Sequence, residues 1–469
     1  MLPDEKYLID VNRLQRFFFM GVAGSGMSAL AQYVAGLGKQ AAGSDRQFQP
    51  EVANAIQQQL EDVGVRCFPQ DGSGLTPDIE LVVVSTAIES TVPEVAQAQA
   101  WGIPIVRRSE LLAALAASRR TIAVGGTSGK STTTAMIYAI LEEAGFQPGI
   151  ISGAGLVELI QQGKIGNAAV GGGEWLVIEA DESDGSIVQY HPEIGVLLNI
   201  DKDHQELDEL ERIFRQFQQH TRSRFIVNRQ QALTASLSTD RQADFSSDPS
   251  SDAGFVATDF HQDGFQLSFR VNGFLYRLHT VGAHNMENAL AALAVTLPLG
   301  VLPEKAAKAL ERYAGIHRRH QILGVHQEII MVDDYAHNPA KCAASIKAVQ
   351  PLAPRVVAWF QPHGYGPTRF LRQDFVDAFA DVLRPQDELW MSEIYFAGGT
   401  AVKDISAGDL IDDLQQQHKP AFFESDRQVW MEHIVQQLKG PAVLLLMGAR
   451  DPSLEAFAHA VWNNLKQRP

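Results

Sequence analysis

Gly126-Thr127-Ser128-Gly129-Lys130-Ser131-Thr132 stands between a short apolar run, Ile122-Ala123-Val124, and a stretch from Thr132 to Leu141 that reads as a helix. A strand, a glycine turn and a helix in this order let backbone N–H groups converge on phosphate oxygens, with the partial positive charge of the helix N-terminus behind them. Lys130 adds a full charge, and the Ser131 hydroxyl is a ligand for Mg²⁺. The loop is one residue shorter than the usual spacing, and Gly125-Gly126 supply its turn. The bland alternative, a glycine-rich turn with an incidental lysine, does not account for the flanking strand and helix. The expectation is a chain that spends or senses a nucleoside triphosphate.

Outward from this loop the same alternation recurs, which predicts an α/β protein with parallel, doubly wound sheets. Before it, Phe17–Val22 reads as a strand, then Gly24-Ser25-Gly26 and a helix from Met27 to Leu37. A second strand ends near Gly43-Ser44-Asp45, and Leu81–Ser85 and Pro104–Val106 follow. Ser118-Arg119-Arg120 marks the first boundary, so the first block is residues 1–117. The middle block, 118–301, carries strand-like runs Trp175–Ala180 and Ile194–Ile200, and its segment 239–253 reads as a polar surface loop. The third block, 302–469, starts near Leu302-Pro303, with strands expected at Ile329–Val332, Arg355–Phe360, Glu388–Met391 and Val443–Met447.

Composition narrows the partners. The 469 residues are 45% hydrophobic and 20% charged, enough for about three domains of roughly 150 residues each. A formal charge of −16 argues against a nucleic-acid partner, which would need clustered Lys and Arg. Two cysteines, Cys67 and Cys342, lack metal-ligand spacing and suit a reducing compartment. With neither a signal-peptide profile at the start nor an apolar run of membrane-spanning length, the expectation is a cytoplasmic enzyme with no membrane partner. The oligomeric state is not legible.

Two acidic stretches close strands near the loop. Glu179-Ala180-Asp181-Glu182-Ser183-Asp184 packs four carboxylates into six residues at a strand's carboxyl end, where Mg²⁺ ligands belong beside a phosphate loop. A solvated acidic turn is the alternative. Asn199-Ile200-Asp201-Lys202-Asp203-His204 ends the next strand, and His204 is a candidate for a second Mg²⁺, although magnesium prefers oxygen and a lone histidine is more often structural.

Taken together, Gly-Thr-x-Gly-Lys-Ser-Thr, Glu-Ala-Asp-Glu-Ser-Asp and Asp-His resemble the Mur ligases, the ATP-dependent amide-bond-forming enzymes of peptidoglycan precursor synthesis. The resemblance runs the length of the chain. It implies three domains: an N-terminal Rossmann-like UDP-binding domain, a central P-loop ATPase-like domain, and a C-terminal Rossmann-like domain that binds the amino acid and closes on ATP. Gly282-Ala283-His284-Asn285-Met286-Glu287-Asn288 resembles the segment that meets adenine, which implicates His284, Asn285 and Asn288. Arg318-Arg319 resembles the arginines that close the ATP site, Arg319 being favoured to stabilise developing charge. Asp333-Asp334-Tyr335-Ala336-His337-Asn338-Pro339 resembles the segment touching ribose and the reacting centre, with Asp334 toward ATP and Tyr335 and His337 toward the acceptor. On this resemblance Lys130 pairs with the β- and γ-phosphates, Ser131 and Glu179 hold one Mg²⁺, and Glu179 with His204 a second.

The first block resembles the branch that joins L-alanine to UDP-N-acetylmuramate. Its matches are Gly21-Val22-Ala23-Gly24-Ser25-Gly26-Met27-Ser28, Gly43-Ser44-Asp45, Ser85-Thr86-Ala87-Ile88 and Arg108-Ser109-Glu110-Leu111-Leu112. The implied UDP-sugar residues are Gly21, Gly24, Ser25, Gly26, Met27, Ser28, Ser44, Asp45, Ser85, Thr86 and Arg108. Alone, the glycines also suit a dinucleotide fold with Asp45 on a cofactor ribose, but that reading leaves the second nucleotide loop unexplained. The chain departs from the branch at Ala23 (usually glycine), Ser128 (histidine), Ser131 (threonine) and Gly364 (arginine). The last falls in Phe360-Gln361-Pro362-His363-Gly364-Tyr365-Gly366-Pro367-Thr368-Arg369, where a guanidinium grips the acceptor's carboxylate. His363 and Arg369 remain as acceptor candidates. Three functions therefore stand: an L-alanine ligase, a neighbouring ligase taking another acceptor such as an intact tripeptide, and a nucleotide-binding paralogue without catalysis.

Overall fold

The computed structural model describes residues 9–49, 53–85, 88, 92–201, 207–396 and 402–468. Thr86 and His204 lie outside them. The chain forms two compact units. The first comprises residues 1–261, 267–279 and 283–316, and the second 262–266, 280–282 and 317–469.

The first unit opens with a five-stranded parallel sheet: Arg16–Met20 (β1), Gln40–Asp45 (β2), Val65–Pro69 (β3), Leu81–Val84 (β4) and Ile105–Arg107 (β5), in the order β3-β2-β1-β4-β5. Phe17, Phe18 and Phe19 are all fully buried, because a central parallel strand is covered on both faces and its apolar run need not alternate. The order reverses between β1 and β4, and the crevice at their carboxyl ends is where such sheets hold ligands. Gly21 and Ser85 end those two strands. β1 stops at Met20 rather than Val22, since the N–H groups of Gly21 and Val22 turn to the Ser44 carbonyl. The helix Ser25–Gly36 (α1) starts two residues before the predicted Met27, with Gly24 at its N-cap.

A second sheet has the order β11-β10-β6-β9-β7-β8. Its strands are Arg120–Gly125 (β6), Gly149–Ile151 (β7), Ala168–Ala169 (β8), Trp175–Glu179 (β9), Ile194–Leu197 (β10) and Arg224–Val227 (β11). β6 is central, with Val124 opposite Glu179 on β9 and Gly125 opposite Leu197 on β10. The carboxyl ends of β9 and β10 thus straddle the phosphate loop. The helix Lys130–Ala144 follows that loop and ends on left-handed Gly145.

Two expectations need correction. The polar segment 239–253 contains a short strand, Phe245–Ser246 (β12), which joins Phe255–Asp263 (β13), Gln266–Val271 (β14) and Phe274–His279 (β15) in a four-stranded sheet. The helix Pro303–Arg312, read as the head of the third block, lies in the first unit. Its Ala306, Ala309 and Leu310 share a core with the helix Ala283–Thr296 and with Ile137 and Leu141.

The second unit is built on Gln321–His326 (β16), Ile329–Asp334 (β17), Val356–Gln361 (β18), Glu388–Met391 (β19), Ala421–Phe423 (β20) and Ala442–Gly448 (β21), in the order β16-β17-β21-β18-β19-β20. β16 is antiparallel to β17 and the remaining pairs are parallel. All four predicted strands of this block are present.

Candidate active site

The phosphate loop is held from below by strand ends. Lys130 Nζ donates to the Gly126 carbonyl at 2.7 Å and meets Glu182 Oε2 at 2.7 Å, with Asp181 at 3.8 Å. Burial pushes the Glu182 carboxyl up, against the pull of Lys130. At Asp181 burial is outweighed by Lys130 and by hydrogen bonds from Ser183, so its carboxyl is held below the usual range. Asn199, quoted in the sequence reading but given no role, clamps the loop: Thr127 Oγ1 and the Ser128 N–H both donate to its Oδ1 at 2.8 Å, and its Nδ2 donates to the Ser128 carbonyl. Thr127 is therefore buried as part of the scaffold rather than offered to a ligand. Gly129 has φ +84, and a Cβ there would stand 2.5 Å from Asn288 Oδ1, so only glycine lets the backbone turn this close. Asn288 also accepts from Thr133 Oγ1 and donates to Asn285, which places both asparagines behind the loop. His284 lies in the first turn of the same helix, and Ser131 and Thr132 in the first turn of the helix that leaves the loop.

Glu179 ends β9 beside the loop. Its Oε1 accepts from Ser152 Oγ at 2.5 Å and from the Gly153 N–H at 2.8 Å. Among the described residues no three His, Cys, Asp or Glu side chains gather as a metal cage. A carboxylate oriented by neighbouring donors, with a serine hydroxyl at the loop, fits Mg²⁺ that arrives with phosphates, since this ion takes one or two protein oxygens and fills its shell from substrate and water.

The crevice between β1 and β4 is a second candidate anion site. Gly24, the N-cap of α1, offers no side-chain cap, which leaves first-turn N–H groups for a ligand. Arg108 lies over that end: a Cβ at Gly26 would stand 3.0–3.4 Å from its side chain. Arg108 also reaches Asp184 at 3.4 Å. A helix N-terminus beneath a guanidinium suits a diphosphate. Other candidates are structural. Asp45 is buried and spends its carboxylate on the N–H groups of Ala23 and Gln47, which leaves no role on a cofactor ribose. Met27 packs in the core, and the Ser28 hydroxyl bonds the Ser25 carbonyl and receives the Asn167 amide. Ser44 is fully buried. Gly21, at φ +77, makes the turn, with Ser85 nearby.

Asn167 was not singled out from sequence. Its Nδ2 donates to Ser25 O at 2.7 Å and Ser28 Oγ at 2.9 Å, and its Oδ1 accepts from Gln32 at 2.7 Å. Its own carbonyl accepts from the Ser152 N–H, whose hydroxyl holds Glu179. An unbroken set of hydrogen bonds therefore runs from the N-terminal end of α1 to the candidate Mg²⁺ carboxylate. Nothing in the loop around Asn167 carries a local signal for this.

In the second unit the two arginines separate. Arg318 is buried and bidentate to Asp333, with a further bond to the Gly448 carbonyl, so it braces the unit and is not offered to ATP as the sequence reading had it. Arg319 is exposed and lies over the Tyr335 ring at 5.4 Å. Asp334 is buried, accepting from the N–H groups of His320 and Ala336. His337 Nδ1 bonds the Tyr335 carbonyl, and its ring lies 5.7 Å from that of His363. Arg369, the acceptor candidate, is paired with Asp404. Gly364 has φ +73, a conformation in which an arginine would be strained.

Family models match three consecutive stretches: the Mur ligase family catalytic domain over residues 16–120, the Mur ligase middle domain over 124–296, and the Mur ligase glutamate ligase domain over 318–450. The chain belongs to the Mur ligase family. Among curated relatives of this Mur ligase, the UDP-N-acetylmuramate–L-alanine ligase of Bdellovibrio bacteriovorus is 34% identical over 455 residues, covering 93% of this chain and 96% of that one. That of Gloeobacter violaceus is also 34% identical, covering 92% of each. In fold, the UDP-N-acetylmuramate–alanine ligase of Thermotoga maritima superposes with a TM-score of 0.78 at 24% identity, covering 96% of this chain and 98% of that one. The murein peptide ligase of Psychrobacter arcticus gives 0.66 at 23%, covering 97% and 99%. No helix among the described residues is long and apolar enough to cross a membrane.

Proposed function

We propose that this Mur ligase joins the carboxylate of UDP-N-acetylmuramate to the amine of L-alanine, converting ATP to ADP and phosphate. The observation that carries the reading is end-to-end similarity, at 34% identity, to ligases named for that reaction. Retention of the two anion-binding loops supports it. A carboxylate oxygen of the sugar attacks the γ-phosphorus and ADP leaves. The resulting acyl phosphate is attacked at carbon by the amine nitrogen, which loses a proton as phosphate departs. The protein's work is positioning and charge neutralisation. Gly126 and Gly129 present backbone to the phosphates, Ser128 being held by Asn199; Lys130 moves from Glu182 to the β- and γ-phosphates, and Arg319 stabilises charge that develops on transfer. Ser131 and Glu179 would hold Mg²⁺, with His204 for a second ion, and the metal would supply further charge neutralisation. Gly24, Ser25, Gly26 and Arg108 take the UDP diphosphate, and Tyr335, His337 and His363 face the acceptor.

A second reading, a ligase for a larger peptide acceptor, draws on Gly364 and on the pairing of Arg369 with Asp404, which leave this loop without the family's guanidinium. Phosphate release from ATP with UDP-N-acetylmuramate and a panel of acceptors decides between them. L-Alanine is expected to support turnover, and Lys130→Ala to lower it by roughly 10²–10³-fold, as loss of a preorganised charge donor does. Turnover with a tripeptide but not alanine selects the second reading, and silence with every acceptor sinks both.

A further inference from the structure

We propose that Arg450 supplies the guanidinium that grips the acceptor's carboxylate, in place of the arginine missing at Gly364. The inference rests on the amide-ligase reading above. β18 and β21 are parallel neighbours whose pairing ends with Phe360 opposite Met447 and Gln361 opposite Gly448. Two residues beyond that last pair stand His363 and Arg450, so both leave the sheet at the carboxyl edge where α/β folds hold ligands. Arg450 adopts φ +65, a left-handed conformation uncommon for a side chain of this size and concentrated at functional sites.

The charge of Arg450 is open. The residue is exposed and, among the described residues, makes no hydrogen bond or ion pair. Its neighbour Asp451 does not neutralise it, being engaged by Arg427 at 2.8 Å and by the Ser453 N–H at 2.9 Å. Of the other guanidinium groups near this edge, Arg318 is committed to Asp333, Arg369 to Asp404 and Arg427 to Asp451, while Arg319 lies over the Tyr335 ring. Arg450 is also close enough to His363 to act on it. Burial, then His337 and Arg450, lower the His363 pKa to about 4, so the imidazole is neutral at neutral pH and does not repel an incoming ammonium. Among the described residues His363 Nδ1 is buried without a hydrogen-bond partner, which leaves a polar atom at the same sheet edge as Arg450 for a ligand. An open guanidinium next to a neutral imidazole matches an α-amino acid, with the carboxylate on Arg450.

The test compares L-alanine with L-alaninamide, which lacks the carboxylate charge, using ATP and UDP-N-acetylmuramate as co-substrates. Arg450→Gly removes the guanidinium and relieves the positive φ, so the variant is expected to melt no lower than the parent. Its KM for alanine should rise roughly ten- to a hundredfold, the range for a lost charge-assisted pair, while KM for ATP and for the sugar nucleotide stay within about twofold. The preference for alanine over alaninamide should collapse, and Arg450→Lys should restore part of it. An unchanged preference in Arg450→Gly overturns the proposal, as does a preference lost equally in Arg369→Ala. If the parent uses a peptide instead of alanine, the alanine reading falls alone, and the same ratio on that peptide and its C-terminal amide decides Arg450. A parent silent with every acceptor overturns both.

Discussion

Lys130 and His363 show how single side chains are poised by their surroundings. Lys130 has its ammonium satisfied by Glu182 and the Gly126 carbonyl, so a half-buried cation is not left unpaired. His363 is the reverse case, a titratable group kept uncharged by burial, His337 and Arg450. Its pKa of about 4 in the folded chain lies below the ordinary 6.5, so on acidification the unfolded chain takes up a proton that the folded chain refuses. Stability is therefore complete above about 6.5 and declines as pH falls toward 4. Denaturant midpoints at pH 7.5, 5.5 and 4.5 should show a steeper acid loss in the parent than in His363→Gln, and equal slopes would contradict this assignment.

At the scale of elements, α1 does two jobs. Its N-terminus faces the crevice between β1 and β4, while Tyr33 and Gly36 pack on Gly149 of β7 and on Val170 just after β8, so the helix ties the two sheets together. Asn167 fastens that joint. Asn167→Ala leaves the Ser28 hydroxyl, the Ser25 carbonyl and the Gln32 amide without their buried partner and should cost about 1–3 kcal/mol of stability. It should also raise KM for the sugar nucleotide and the Mg²⁺ concentration at half-maximal rate. A variant that is less stable but unchanged in both constants would mean that the joint is mere scaffolding. The glycine loops and the acidic strand end at Glu179 were legible in sequence because their chemistry is local: turn, helix start and charge lie within a few residues. Asn167, Ser152 and Asn199 were not, since their roles arise only when β7, β9 and β10 are brought beside α1 and β6. The sheet β12–β15 was missed for a related reason: β13 exposes most of its length, and its pattern does not read as a strand.

For the whole molecule, the cores divide differently from the family models. One hydrophobic cluster runs from Phe17, Leu30 and Val83 through Ile151, Leu176 and Ile178 to Phe214, spanning the first two sheets. The first two model-matched domains are therefore joined by buried side chains, and both glycine loops sit in one unit. The second unit has cores of its own, around Ile346, Phe360 and Phe379 on one face of its sheet and Trp359, Trp430 and Phe457 on the other. Shared burial makes unfolding cooperative, and separate cores permit separate transitions. Calorimetry should accordingly resolve two transitions rather than three. UDP-N-acetylmuramate and a non-hydrolysable ATP analogue with Mg²⁺, bound to the first unit, should both raise the same one. At a ligand concentration of 100 times Kd the gain is about 2.7 kcal/mol, which in a unit of this size is a shift of a few degrees. If the two ligands raise different transitions, the cluster joining the sheets does not make them unfold as one, and the pathway from α1 to Glu179 loses its mechanical basis.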